Sequence, residues 1–208
     1  MVENKIKKLL LEGLQQLHLE AANLDKLLAF VALLEKWNKT YNITAIRDVR
    51  QMLIMHVLDS ASVYCYLKGN SIIDVGTGGG IPGIILALLN PELKVTLLDS
   101  NHKKTRFLRF AQRQLKIDNI TVVCQRVEEY QAQTGFDVVI SRAFSEVGLF
   151  LQLAGHLCAA TGCMFAMKGP RIESENNAAQ WGFALQQDIN IEVPFLDADR
   201  RLLIFKKI

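Results

Sequence analysis

Cysteine, histidine, proline and tryptophan are scarce in this chain: four, four, four and two among 208 residues. The cysteines (Cys65, Cys124, Cys158, Cys163) form no CxxC pair. That argues against a zinc ribbon, a redox motif or a disulfide framework and suits reduced, packed thiols of a cytosolic protein. The histidines, at 18, 56, 102 and 156, are scattered, so no metal is expected. Long apolar runs are missing as well. No stretch approaches the ~18 residues of a membrane span. Glu12 interrupts the run Leu9 to Leu11, against a secretory signal. An excess of one charge is also lacking, since 24 basic and 21 acidic residues leave a net +3. Such a balance neither requires nor excludes a nucleic-acid partner, and the distribution of charge matters more. Nothing repeats internally, and no segment is of low complexity.

Half the residues are apolar and 22% are charged, a globular composition for one core domain with a modest extension. Residues 1–67 read as helical. Ile6, Leu9, Leu10, Leu14 and Leu17 mark a first helix, and Leu24, Leu27, Leu28, Val31 and Leu34 one face of a second. A third is expected over Val49 to Leu67, stopped by Lys68-Gly69-Asn70. From Ser71, apolar runs alternate with helical segments. Strands are expected at Ile72–Val75, Val95–Leu98, Ile120–Cys124, Val138–Ser141 and Cys163–Met167. Helices are expected at Pro82–Leu89, Lys103–Leu115 and Glu146–Leu157. This is an α/β pattern, a mostly parallel sheet covered on both faces. A helix around Glu173–Trp181 and two successive strands, about Phe183–Val193 and Arg201–Lys206, break the alternation. Their hairpin-like junction predicts an antiparallel last strand. The expected division is a helical cap, 1–70, on a sheet unit, 71–208.

The densest signal is Ile72 to Gly83, IIDVGTGGGIPG, a buried strand running into a glycine turn and a helix. Gly76, Gly78, Gly79, Gly80 and Gly83 let main chain approach a ligand closely, and Pro82 suits a first helical turn. No Lys-Ser or Lys-Thr follows, which excludes a P-loop. Gly78, Gly80 and Gly83 do fit GxGxxG, so a dinucleotide stays in view. Against it, Asp74 precedes the turn, where it suits a methionine amino group better than a pyrophosphate. The frame from Gly76 is GxGxG, with Ile81 where the dinucleotide frame wants glycine. No residues remain for a dehydrogenase's substrate domain. S-adenosylmethionine is therefore the expected cofactor. Asp99, ending the second strand, would hold the ribose, or else cap the next helix, a task Ser100 or Asn101 could also take. Arg126-Val127-Glu128-Glu129 follows the third strand, either beside the adenine or as a solvated acidic turn.

From Asn101 to Ile117 there are six basic residues and no acid. Arg106, Arg109 and Arg113 fall at i, i+3 and i+7, with Lys103, Lys104 and Lys116 nearby. Phe107, Leu108, Ala111 and Leu115 make the opposite face. A one-sided basic stripe of this kind suits RNA phosphates, although a solvated helix face gives the same pattern. His56 and Asp59, three apart, sit on one helical face, where they could meet RNA, shape a pocket rim or join the cap to the sheet.

Taken together, these residues resemble the bacterial 16S rRNA guanine-N7 methyltransferase family, also called glucose-inhibited division protein B, over nearly the whole chain. The resemblance rests on Trp37-Asn38-Lys39, Tyr41-Asn42-Ile43-Thr44, His56 with Asp59-Ser60, Asp74 to Gly78, Leu97 to Ser100, Val127-Glu128-Glu129, Ser141-Arg142-Ala143-Phe144, Lys168-Gly169 and the Arg200 strand. Gly79 and Met55 depart from the family pattern. The resemblance implies a Rossmann-like sheet of seven strands under a helical cap. It implies methyl transfer to N7 of one guanine, position 527, in 16S rRNA or the 30S subunit, by a cytoplasmic protein without membrane or metal. A monomer is expected. Cofactor contacts are expected at Asp74, Gly76, Gly78, Gly80, Ile81, Asp99, Val127, Glu128 and Arg142. Arg142, at the end of the fourth strand, would position the reactants or form a structural ion pair with an acid such as Asp74 or Asp99, and no general base is expected. RNA contacts are expected at Lys103, Arg106, Arg109, Arg113, His56, Lys168 and Arg200. An NAD-dependent oxidoreductase, a small-molecule methyltransferase and a non-catalytic RNA-binding module remain the rivals.

Overall fold

The computed structural model describes residues 2–20, 23–144, 146–169 and 178–208. Two helices open it, α1 (Val2–Gln16) and α2 (Leu24–Tyr41). On α2 the residues Leu24, Leu27, Val31 and Leu34 are buried, as their spacing requires. The chain leaves α2 through Asn42 in the left-handed conformation that ends many helices. The third helix departs from expectation. It starts as α3 (Val49–Met52), capped by Asp48, whose side chain accepts from the Gln51 N–H. It then widens into a π-helix, Leu53–Leu58, and closes with a last turn, α4 (Asp59–Ala61). Only a 3₁₀ turn, Tyr64–Tyr66, lies beyond. Residues 52–63 are buried all round except Met55, so no 3.6-residue stripe marks where the widened turn falls.

The sheet then builds through β1 (Ser71–Val75), α5 (Gly83–Leu89), β2 (Lys94–Leu98), α6 (His102–Leu115), β3 (Ile120–Val123) and β4 (Phe136–Ser141). It continues through α7 (Val147–Ala154), β5 (Cys158–Lys168), β6 (Phe183–Asn190) and β7 (Arg201–Lys207). Strand order is β3-β2-β1-β4-β5-β7-β6, and β7 alone runs antiparallel to its neighbours. β5 begins at Cys158 rather than Cys163, because an irregularity opposite Phe136–Val138 carries the exposed residues 160 and 161 through the pairing. α7 is shorter than expected and ends in a 3₁₀ turn, Gly155–Leu157. The expected helix at 173–181 lies outside the described residues except for Ala178–Trp181, a 3₁₀ turn. Cys158 and Cys163 are buried, whereas Cys65 is exposed and Cys124 half-buried, so only two of the four are packed thiols. Burial pushes the Cys158 thiol up to about 11.

Alternation along the strands decides what meets what. Ile72, Leu97, Ile140 and Phe165 face α1, α2, the residue 49–61 helix, α5 and α6 in one apolar cluster. Ile73, Leu98, Val139 and Met164 face α7 in the other. The helices of residues 1–70 thus share the core of one sheet face. Asp74, Asp99 and Arg142 continue the period on that same face, toward the cap. The strand order reverses between β1 and β4, which opens a crevice at their carboxyl ends.

Candidate active site

β1 hands over to the turn at Gly76, whose φ is +69°. The Gly76 and Thr77 N–H groups both donate to the Leu98 carbonyl, at 2.9 and 3.1 Å, clipping the turn to the end of β2. The Gly78 N–H donates to Asp99 Oδ2 at 2.9 Å, and the Asn101 N–H to Asp99 Oδ1 at 2.8 Å. Asn101 caps α6, its side chain accepting from the Lys103 and Lys104 N–H groups, so Asp99 is not the cap. Asp74 is fully buried beneath the turn. Its Oδ2 accepts from the Thr77 hydroxyl at 2.6 Å and the Gly83 N–H at 2.9 Å, while Oδ1 finds no donor. Burial pushes the Asp74 carboxyl up to about 6, against the opposing pull of these hydrogen bonds and of Arg142.

The glycines divide by what a side chain would meet. At Gly80, φ +87°, a Cβ would lie 2.6 to 2.9 Å from Ile84 and Leu108. At Gly79 it would press on Ile43 and Leu34 of the cap. At Gly78, φ +59°, nothing lies closer than Lys104 Nζ at 3.8 Å. Gly78 therefore presents bare main chain with room for ordinary contact only, and Gly80 is a packing glycine. The Gly80 and Ile81 N–H groups both donate to the Thr77 carbonyl, which engages inside the turn the amides expected to serve a cofactor. The 3₁₀ turn Val127–Glu129 follows β3 at the same edge, with Glu128 exposed and Val127 half-buried. A bare turn, a carboxylate at the next strand end and a buried carboxylate oxygen lacking a donor fit a ligand with a nucleoside at one end and a cation at the other.

Beyond β4 a cleft of about 440 Å³ lies between cap and sheet. Arg142 lines it, with Nη1 donating to the Met55 carbonyl at 2.7 Å and to Asp59 Oδ2 at 2.9 Å. Its Nη2 lies 3.2 Å from His56 Nδ1. Nδ1 also lies 3.1 Å from the Met55 carbonyl, and Nε2 lies 2.9 Å from Thr44 Oγ1, so both ring nitrogens are engaged. Burial first, then the charge of Arg142, pushes His56 down to about 4, so the ring is neutral at pH 7. Arg200 Nε donates to the other Asp59 oxygen at 3.2 Å. His56 is buried with both nitrogens engaged, which makes it a joint of cap and sheet at the wall of the cleft rather than an exposed contact.

Comparison with known proteins fits this architecture. A family model described as rRNA small subunit methyltransferase G matches residues 23–204. Ribosomal RNA small subunit methyltransferase G of Cronobacter sakazakii is 47% identical over 181 residues, 87% of this chain and 87% of its own length. The protein of that name from Legionella pneumophila is 51% identical over 170 residues, 81% of each chain. The chain belongs to the rRNA small subunit methyltransferase G family. In fold it is similar to a SAM-dependent methyltransferase from Aquifex aeolicus, with a TM-score of 0.56 at 13% identity over 74% of this chain and 92% of that one.

The remaining candidates fall in two places. Lys103, Arg106, Arg109 and Arg113 are exposed along α6, opposite buried Phe107, Leu108 and Ala111, and Arg109 also donates to the Val122 carbonyl at 3.3 Å. Lys168 and Arg200 line the cleft instead, Lys168 donating to the Phe144 carbonyl at 2.7 Å. Among the described residues no three metal-binding side chains cluster, and no helix is long and apolar enough to cross a membrane. Sequence reasoning favoured a positioning role for Arg142 and kept an ion pair with an acid such as Asp74 or Asp99 as the alternative. It missed Asp59 as the partner, and nothing in the sequence reveals a contact 83 residues apart. The Met55 carbonyl was missed too, and Lys104, whose Nζ lies 3.8 Å from Asp99 Oδ2, was read only as part of the stripe.

Proposed function

We propose that this chain transfers a methyl group from S-adenosylmethionine to N7 of one guanine, position 527, of bacterial 16S rRNA. In this reading residues 1–70 cap a catalytic unit, 71–208, that works as a cytoplasmic monomer. The carrying observation is the glycine turn itself, with Gly78 main chain held to Asp99 and a buried Asp74 oxygen beneath the turn that lacks a donor. The cofactor, when bound, supplies an already activated methyl group. Asp74, Gly76, Gly78 and Asp99 would hold it, with Val127 and Glu128 at its base and Gly80 and Ile81 shaping the turn. Guanine N7 carries a lone pair and no proton at neutral pH, so no residue need accept one. Neutral His56, both nitrogens engaged, agrees with that. The chain's task is placement and exclusion of water, worth up to ~7–11 kcal/mol in well-oriented systems. Arg142, fixed at three points, positions rather than transfers. The α6 stripe would meet phosphates outside the site.

The test is incubation with radiolabelled cofactor and 16S rRNA or 30S subunits, then mapping of the modified nucleoside. Label in N7-methylguanosine at one position is expected, and none, or label elsewhere, overturns the assignment. Charge reversal at Arg106 and Arg109 should flatten the salt dependence of RNA binding by about two units of slope. Unchanged slope would remove the stripe from the RNA face.

A further inference from the structure

We propose that the cleft beside Arg142 is an anion subsite that takes the phosphate of the nucleotide carrying the target base, an inference that rests on RNA being the acceptor. Two guanidinium groups converge there on one carboxylate. Arg142 Nη1 holds Asp59 Oδ2 at 2.9 Å and Arg200 Nε holds Oδ1 at 3.2 Å, so both oxygens of Asp59 are engaged. Asp59 is only 2% exposed and lies behind the arginines. His56 is neutral and adds no charge. Arg201, also on the cleft wall, is paired with Asp188. Lys168 is a further cation on the wall, and Asp59 is the one carboxylate among the described lining residues, so Arg142 and Arg200 share a single negative charge. An incompletely compensated cation in a walled cleft is costly unless an anion joins it.

The donors left over suit a phosphate. Arg200 uses Nε for Asp59 and Nη1 for the Asp199 carbonyl at 3.0 Å, and its Nη2 makes no hydrogen bond among the described residues. A planar guanidinium fork matches phosphate oxygens well. The volume, about 440 Å³, lies within the ~300–1,000 Å³ usual for small-ligand sites. The cofactor's own carboxylate is a poorer occupant for Arg200. The arginine immediately precedes β7, three strands along the sheet from β1 and its glycine turn. An RNA base, by contrast, always brings a phosphate with it.

The experiment uses full-length protein saturated with S-adenosylhomocysteine and measures thermal shift with GMP, guanosine or inorganic phosphate. At ten times its Kd, GMP should raise the melting temperature by about 4 °C, and guanosine at the same concentration by clearly less. Arg200→Gln should erase that difference and leave affinity for S-adenosylhomocysteine unchanged, while Arg200→Lys, which keeps the charge, should retain part of it. Equal shifts from GMP and guanosine in the wild type, or none from either, overturn the proposal without any variant. A shift from inorganic phosphate as large as that from GMP would make the site one for free anions and overturns it too. Loss of S-adenosylhomocysteine affinity in Arg200→Gln would hand the arginine to the cofactor. None of these readouts needs turnover, so failure of methyl transfer to 30S subunits would defeat the function proposed above and leave this result legible.

Discussion

The glycine turn after β1 and the cleft beyond β4 lie on the same sheet edge but are made of different material. The turn is main chain, contiguous from Asp74 to Gly83, clipped to Leu98 and Asp99 by backbone donors. The cleft is made of side chains from Asp59, Arg142 and Arg200, brought together from distant parts of the chain. One wall is therefore sensitive to added bulk and the other to altered charge. The difference teaches that the two halves of the site should fail separately, by mechanisms that stability and binding measurements can tell apart.

The largest effect should come from the cleft. Asp59→Ala leaves Arg142 and Arg200 converging on no carboxylate, and breaking a buried pair costs about 3–5 kcal/mol. The arginine side chains are 28% and 18% exposed, so solvent screens part of this and about 3 kcal/mol is expected. For a chain of this length the melting temperature should fall by about 10 °C. A fall of only a degree or two would mean that the cleft does not depend on charge balance. The turn comes next. Gly80→Ala forces a Cβ against Ile84 and Leu108 at positive φ, for about 2–3 kcal/mol of stability. Gly78→Ala makes only ordinary contacts and should cost just the left-handed strain, about 1–2 kcal/mol. Affinity for S-adenosylhomocysteine should reverse the order, Gly78→Ala losing more. If calorimetry finds Gly80→Ala the weaker binder and Gly78→Ala the less stable, the division of the glycines is wrong.

The same contrast explains what could be read from the sequence. The turn is local: spacing of Gly76, Gly78, Gly80 and Gly83 after an apolar run and before Asp99 indicated its place on the sheet. The alternation of strands and helices indicated the sheet, and its hairpin-like end the antiparallel β7. What a pattern of glycines does not carry is direction. Gly78 and Gly80 look alike in sequence, and only the packing of Leu108 and Ile84 separates them. The cleft is non-local, and its central residue, Asp59, sits in a helix buried on all sides, where periodicity has no outside face to report. Met55 contributes a carbonyl, which no residue type announces.

The subtlest test sets the two walls against each other by pH. Asp74, beneath the turn, is raised from 3.8 to about 6. Between those values the folded chain holds a proton that the unfolded chain has lost, so acidification from pH 6 toward 4 stabilises the fold. His56, in the cleft, is lowered from 6.5 to about 4. Over nearly the same range the unfolded chain takes up a proton that the folded one refuses, so acidification destabilises. Each shift is worth at most roughly 3 kcal/mol, and about 2 kcal/mol of it falls between about pH 4.5 and 6. In the wild type the two slopes oppose and largely cancel. Asp74→Asn should therefore reveal a fold that weakens on acidification, and His56→Gln one that gains in relative stability, in urea unfolding across that interval. Every other carboxylate titrates alike in both variants, so the divergence of their two profiles isolates this pair. Parallel profiles would mean that the turn and the cleft do not hold the opposite protonation biases their burial implies.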